Sequence, residues 1–236
     1  MNDIIKAIEK EKEYLSYRAK GEEPFHLVDA IKECGFCSLE EYFIAKQEYT
    51  FNQLNFSFAN VKPSEAVAEI FRMMTEKETK VLFVLSTETF VYSGNSKAFN
   101  EEYCKMNNIP IYPLYTAGGT IVSTNGDFGL IICYPQKIIL DVNFILNKIK
   151  SILGKYMTNL EVNGNDILLN GEKVCGAVMY YQNGMKCFGA HFSFNDNSEL
   201  VEKICGGSGS IKKPTFITGL SVNSFKHELN EWLNII

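Results

Sequence analysis

The 236 residues carry 28 acidic against 23 basic side chains, a net charge of -5 that leaves no broad basic face for binding nucleic acid. With 46% hydrophobic and 22% charged residues, the composition is that of an ordinary globular chain, enough for one large domain or a domain with a small appendage. No apolar run approaches the ~20 residues of a membrane helix, and Met1-Asn2-Asp3-Ile4-Ile5-Lys6 lacks the layout of a signal peptide, so no membrane partner and a cytoplasmic location are expected. The seven cysteines then read as reduced thiols.

In chain order, Ile4, Ile5, Ala7, Ile8, Tyr14 and Leu15 recur at helical spacing among Glu and Lys and predict an amphipathic helix. Phe25 to Glu33, closed by Gly35, is a second helix, and Ser38 with Glu41 is a capping box opening a third through about Gln47. The aromatic stretch from Tyr49 to Phe58 reads as an extended segment or loop. Residues 1–60 thus form a helical N-terminal extension, and residues 61–236 a separate domain.

From Pro63 the pattern is mixed α/β. A helix from Ser64 to Lys77 precedes two adjacent strands, Lys80 to Leu85 and Thr89 to Tyr92. A short helix from Phe99 to Asn107 follows, then Ile109 to Tyr115 leads into Thr116-Ala117-Gly118-Gly119. Thr120 to Ser123 and Phe128 to Tyr134 are expected to form a hairpin around Asn125-Gly126-Asp127. Val142 to Met157 is a long amphipathic helix. A β-meander comes next, then a helix from Ser198 to Ile204, a glycine-rich loop at 206–210 and a closing helix from Ser224 to Trp232.

The meander carries the sharpest signals. Asn170-Gly171 and Asn183-Gly184 are both Asn-Gly turns, whose residues tolerate positive φ, so the intervening strand from Val174 to Tyr181 has fixed ends. Lys173, just after the first turn, therefore has a set position and direction. A lysine held near a glycine-rich loop suits a phosphate or an activated carboxyl group.

The order helix, strand pair, helix, glycine loop, hairpin, helix and meander resembles the lipoate–protein ligase branch of the biotin/lipoate protein ligase family. Three motifs carry the resemblance. Asn165-Asp166 followed by Lys173-Val174-Cys175-Gly176 stands where the family has Asn-Asp and Lys-Ile-Ser-Gly. Ala117-Gly118-Gly119-Thr120-Ile121-Val122 stands at its Ser-Gly-Gly-Gly-Ala-Val loop, and Ile217-Thr218-Gly219-Leu220 at its Val-Thr-Asn-Leu.

What the resemblance implies is an α/β (α+β) fold, a mixed central β-sheet flanked by helices. The implied activity joins lipoate or octanoate to ATP with Mg²⁺ and passes the acyl group to a lysine on a carrier. That carrier would be a lipoyl domain of a 2-oxoacid dehydrogenase or a glycine-cleavage H protein, with a separate accessory protein as a further partner. Lys173 would contact the carboxyl and α-phosphate region as the catalytic residue. Thr116, Ala117, Gly118, Gly119, Thr120, Asn165, Asp166, Gly176 and His191 would bind substrate and nucleotide, with Asp166 also a Mg²⁺ contact. Val84, Val91 and Ile132 would wall a tunnel for the acyl chain.

Departures from the family pattern are specific. Tyr115 and Thr116 stand where the family carries arginine before its loop, removing a charge-assisted contact worth ~1.5–3 kcal/mol. Thr120 replaces the third glycine, and Phe188-Gly189 stands at the family's histidine–glycine step, with His191 displaced.

An alternative chemistry is a cysteine-dependent octanoyl or lipoyl transferase with Cys187 as the nucleophile, given a neighbouring cation to lower its pKa. A non-catalytic acyl- or nucleotide-binding relative is the other alternative. Cys175, in the family's serine slot, is a weaker nucleophile candidate. Cys34-Gly35-Phe36-Cys37 has redox or zinc spacing, but only His26 lies near it in sequence, so both cysteines are expected to pack inward at helix ends. His227 sits in an acidic helix and is expected to be solvated.

Overall fold

The structure, a computed structural model, describes residues 2–94, 99–114, 119–206 and 214–234. The chain divides into two compact units near Leu54. The first holds three helices, α1 (Asn2–Arg18), α2 (Leu27–Glu33) and α3 (Leu39–Phe51). Ala7, Ile31 and Tyr42 are fully buried at its centre. Ser38 caps α3 by accepting from the Glu41 backbone N–H at 3.1 Å, while the Glu41 carboxylate accepts from the Cys37 N–H. The buried Glu11 carboxylate accepts from the Tyr42 hydroxyl at 2.7 Å and pairs with Lys46. Tyr49 to Phe51 form the last turn of α3 rather than an extended segment. Cys34 is half-buried, whereas Cys37 is exposed instead of packing inward.

The second unit begins with β1 (Ser57–Val61), α4 (Pro63–Glu76), β2 (Lys80–Leu85), β3 (Phe90–Ser93), α5 (Glu101–Met106) and β4 (Ile111–Pro113). It continues through β5 (Ile121–Ser123), β6 (Phe128–Pro135), α6 (Val142–Leu153), β7 (Leu160–Asn163), β8 (Asp166–Leu169) and β9 (Glu172–Gln182). It closes with β10 (Met185–Phe192), α7 (Ser198–Cys205) and α8 (Val222–Leu233). A seven-stranded mixed sheet runs β1-β2-β6-β10-β9-β8-β7, with β1 and β2 parallel and every other neighbour antiparallel. A small sheet runs β4-β3-β5.

Two expected pairings are corrected. β2 and β3 are neighbours in sequence but belong to different sheets, and β5 and β6 form no hairpin: β5 pairs with β3, β6 with β2 and β10. The physical reason lies in the turn between them. Gly126, at φ 94°, donates its N–H to the Ser86 carbonyl, and Ser86 donates to the Asp127 carbonyl. The segment is thereby tied to the end of β2 rather than to its own partner strand. By contrast, the Asn170-Gly171 and Asn183-Gly184 turns form as expected, all four residues at positive φ.

The two faces of the large sheet are packed differently. On one, Phe83, Phe128, Phe192 and Phe225 of α8 interlock, with ring centroids 4.9–6.1 Å apart along the chain of contacts. On the other, Leu82, Val84, Ile131, Cys133 and Cys187 meet Ala66, Ile70, Met73 and Met74 of α4. Pro63 starts α4, and its carbonyl accepts the buried Tyr92 hydroxyl at 2.7 Å, which ties the small sheet to the helix. Ile132 belongs to the aromatic face and Val91 to the packing around α5 and α7, so neither walls a tunnel; Val84 does.

Candidate functional site

A cavity of about 420 Å³ lies between the second sheet face, α4, the small sheet and α7. Strand register explains its floor. Asp166 pairs with Gly176, Gly176 with His191, His191 with Gly129 and Gly129 with Val84, so these five form one row across β8, β9, β10, β6 and β2. Directly paired residues share a face, and all five line the cavity. Glycine within a strand commonly marks close approach of another group, and Gly129, Gly176 and Gly189 pave this floor.

Lys173 joins that row through an irregularity. It stands three positions before Gly176, an odd offset that in a regular strand puts the two on opposite faces. The ladder slips between Ile167 and Leu168: Ile167 pairs with Cys175, but Leu168 pairs with Lys173. Val174 is the extra residue, and the bulge turns Lys173 onto the face of Asp166 and Gly176. Its Nζ lies 2.7 Å from Asp166 Oδ1. A Cβ at Gly176 would meet Lys173 Cε and Nζ at 2.6 Å, so the lysine crosses space that only glycine leaves open. Its backbone is pinned as well, accepting from the Thr215 N–H at 2.9 Å.

Around His191 a buried polar network closes this end. Its Nε2 lies 3.0 Å from Ser123 Oγ, which lies 2.8 Å from Ser86 Oγ. The Asp127 carboxylate, fully buried, accepts from the Thr124 N–H and hydroxyl and from the Phe194 N–H, and lies 3.9 Å from His191. Burial pulls the His191 pKa down, with Lys173 adding to this and Asp127 opposing it. The ring is therefore neutral at pH 7. Asp127 read in sequence as a turn residue, and nothing in its spacing linked it to His191, 64 positions on.

The remaining sequence-derived residues fall as follows. Gly119 lines the same cavity as Lys173, and so does Thr120, whose hydroxyl is buried without a hydrogen-bond partner among the described residues. Thr116, Ala117 and Gly118 lie outside the described residues, as does the loop at 207–213. Asn165 is exposed and not part of the cavity wall; its carbonyl accepts from the Ala177 N–H at 2.7 Å. Cys187 lines the cavity at its other end, opposite Tyr180 and Cys133. With the bulge counted, Tyr180 lies six register steps from Lys173 along the sheet, roughly 20 Å. A hydrogen bond to Cys133, together with burial, pushes the Cys187 thiol well up, and burial pushes Cys175 up. Cys205 at the end of α7 also lines the cavity, a placement that no periodicity in the chain marks. His227 is exposed beside Glu231.

The lipoyl protein ligase A/B catalytic domain model matches residues 53–234. The chain belongs to this family. Its fold is that of solved lipoate ligase structures. A T. acidophilum protein solved with bound lipoic acid shares 14% identity at a TM-score of 0.59, over 75% of this chain and 84% of that one. A lipoate-protein ligase A bound with ATP shares 13% at 0.60, over 75% and 82%. The bipartite T. acidophilum lipoate protein ligase, described with its E2 lipoyl domain, shares 12% at 0.60, over 76% and 82%. No curated protein matches. No described helix is long and apolar enough to cross a membrane.

Proposed function

We propose that this lipoate ligase-type domain activates lipoate, or octanoate, with Mg²⁺-ATP and transfers the acyl group to a lysine of a lipoyl carrier domain. The observation that carries the reading is the Lys173 ammonium crossing Gly176 at the polar end of an otherwise apolar cavity. Lys173 is the only Lys or Arg lining it among the described residues. The structural neighbours bound to lipoic acid and to ATP support the same pair of substrates.

In the first step a carboxylate oxygen attacks the α-phosphorus, the acyl–phosphate bond forms and pyrophosphate leaves. Two anions must approach, and a fixed cation offsets their repulsion. Lys173 supplies it by exchanging its contact with Asp166 for the ligand oxygens. Asp166 offers one carboxylate, which suits Mg²⁺ arriving with the nucleotide, since that ion takes one or two carboxylates besides phosphate oxygens and water. Among the described residues no cluster of three or more His, Cys, Asp or Glu forms an independent metal site. The Thr120 hydroxyl, without a partner among the described residues, fits a ligand oxygen, because a buried hydroxyl left unpaired is costly. In the second step the carrier amine attacks the acyl carbonyl, the amide forms and AMP departs. Neutral His191 holds no charge that would compete with Lys173 for the carboxylate.

Lipoate-dependent exchange of labelled pyrophosphate into ATP tests this reading. Exchange in the wild type and its loss in Lys173→Ala support it; no exchange sinks it. A second reading, a cysteine-dependent transferase, draws on the three thiols lining the cavity, Cys175, Cys187 and Cys205. Its signature is an acyl mass shift on one of them without ATP. The raised pKa of Cys187 works against that residue as the nucleophile.

A further inference from the structure

His191 is a titratable side chain in the cavity wall that the activation chemistry does not use. It stands between Gly176 and Gly129 in the row across the floor, so neither neighbouring strand position carries a side chain beside it. Its Nε2 has two oxygens near it, Ser123 Oγ at 3.0 Å and Asp127 Oδ2 at 3.9 Å. A buried carboxylate favours the hydrogen on the ring nitrogen closest to it. Nε2–H therefore donates to Ser123, whose hydroxyl donates on to Ser86 at 2.8 Å. The lone pair is left on Nδ1, which has no hydrogen-bond partner among the described residues. The side chain keeps 15% exposure, enough for a ligand in the cavity to reach it.

We propose that His191 is the general base of the transfer step, its Nδ1 taking a proton from the amine that attacks the acyl-adenylate. This rests on the adenylation reading above. Position agrees. Lys173 Nζ lies over Gly176, and Gly176 pairs directly with His191, a cross-strand spacing of ~4.5–5.5 Å. A carbonyl held by Lys173 is therefore beside the imidazole. Chemistry agrees too. When the amine adds to the carbonyl, its nitrogen becomes positive and must lose a proton before the amide is stable. Lys173 is itself a cation and cannot accept it. The C–N bond forms, one N–H proton passes to Nδ1, and the bond from the acyl carbon to the phosphate oxygen breaks, its electron pair leaving with AMP. The imidazolium then faces the Asp127 carboxylate, which offsets its charge until the proton passes to water. The charged groups around the ring are Asp127 from the turn before β6, Lys173 from β9 and, paired with Lys173, Asp166 from β8. Burial and Lys173 keep the resting ring unprotonated at pH 7, the state a base requires.

The test uses the full chain and chemically prepared lipoyl-AMP, so that adenylation is bypassed. Acyl transfer above the uncatalysed background is followed at pH 7 to two probes. Butylamine is protonated in solution, like a lysine side chain, whereas hydroxylamine is already neutral and far less dependent on a base. In His191→Gln the butylamine-to-hydroxylamine rate ratio should fall on the order of 10²-fold, the lower range of general-base contributions. In His191→Ala the ratio should fall likewise and recover in part when imidazole is added. Far-UV circular dichroism establishes that each variant is folded; should the alanine variant not fold, the glutamine variant decides. An unchanged ratio in folded His191→Gln, even with both rates lowered, marks a structural role and overturns this inference while leaving adenylation intact. Wild type that acylates neither probe overturns both.

Discussion

One sheet face supplies both ends of the cavity, and the ends differ in what they demand of the chain. At the Lys173 end, four strands contribute Asp166, Gly176, His191 and Gly129 in a single row, and the side chains interact in pairs: Lys173 with Asp166, His191 with Ser123. Polar groups are tolerated there because nearly every one has a partner, which is the condition for burying them. At the Cys187 end the wall is apolar, packed by α4 side chains with little directional bonding. The comparison teaches that a polar end needs individual positions, and so depends on a bulge and on glycine, whereas the apolar end needs volume.

The largest expected effect comes from removing the cation. Lys173→Ala should lower lipoate-dependent pyrophosphate exchange on the order of 10²–10³-fold, the usual loss when a preorganised charge-stabilising group is deleted. Lipoate binding measured by calorimetry should change far less. If binding and exchange fall together, the division of labour between the ends is wrong.

Gly176→Ala comes next. Its new methyl would lie 2.6 Å from Lys173 Cε and Nζ, so the lysine must swing away from Asp166. Exchange should fall by roughly 10²-fold, since misplacement of about 1 Å costs that much. Lipoate binding measured by calorimetry should change little. A variant as active as wild type would mean that Lys173 acts from another position.

Gly189→Ala probes the floor midway between the ends. Its methyl would meet only Val178 Cγ1 at 3.6 Å, an ordinary contact, so stability should hold within about 0.5–1 kcal/mol, the scale of a Gly-to-Ala change in a strand. The same methyl enters the cavity, so the KM for lipoate should rise severalfold with kcat little changed. A kcat loss without a KM change would contradict an acyl-binding floor.

The smallest effect is in the pH dependence of stability. Burial lowers the folded pKa of His191 below its ordinary value of 6.5. Above pH 6.5 folded and unfolded chains are both neutral at this position, so the full stability is present. As pH falls through 6.5 the unfolded chain takes up a proton that the folded one resists, and stability drops. His191→Gln should flatten that part of the curve in denaturant titrations at successive pH values. An unaltered slope would mean that His191 is not the group responsible.

Local chemistry made much of this legible in the sequence. Both Asn-Gly turns, the Ser38 cap and the Pro63 helix start are satisfied within a few residues, so the elements they bound could be read directly. The meander that holds Lys173 follows from its turns. Failures came where partners are remote. Phe90–Ser93 looked like a neighbour of Lys80–Leu85 because both are apolar strands of adjoining sequence, but strand pairing is chosen by non-local packing.

The cavity shows the same division. Sequence determined which residues would be glycine, lysine and aspartate around the Asn170-Gly171 turn, and the alternation of apolar positions along each strand. Only tertiary structure decided that the ladder slips at Val174, turning Lys173 onto the face of Gly176. It alone brought Asp127 to His191 across 64 positions and set Cys187 opposite Cys133 four strand positions, roughly 13 Å, from the His191 row. A strand's side-chain period of two is written in the chain; which strand lies beside it, and in what register, is settled by the free energy of the whole packed sheet.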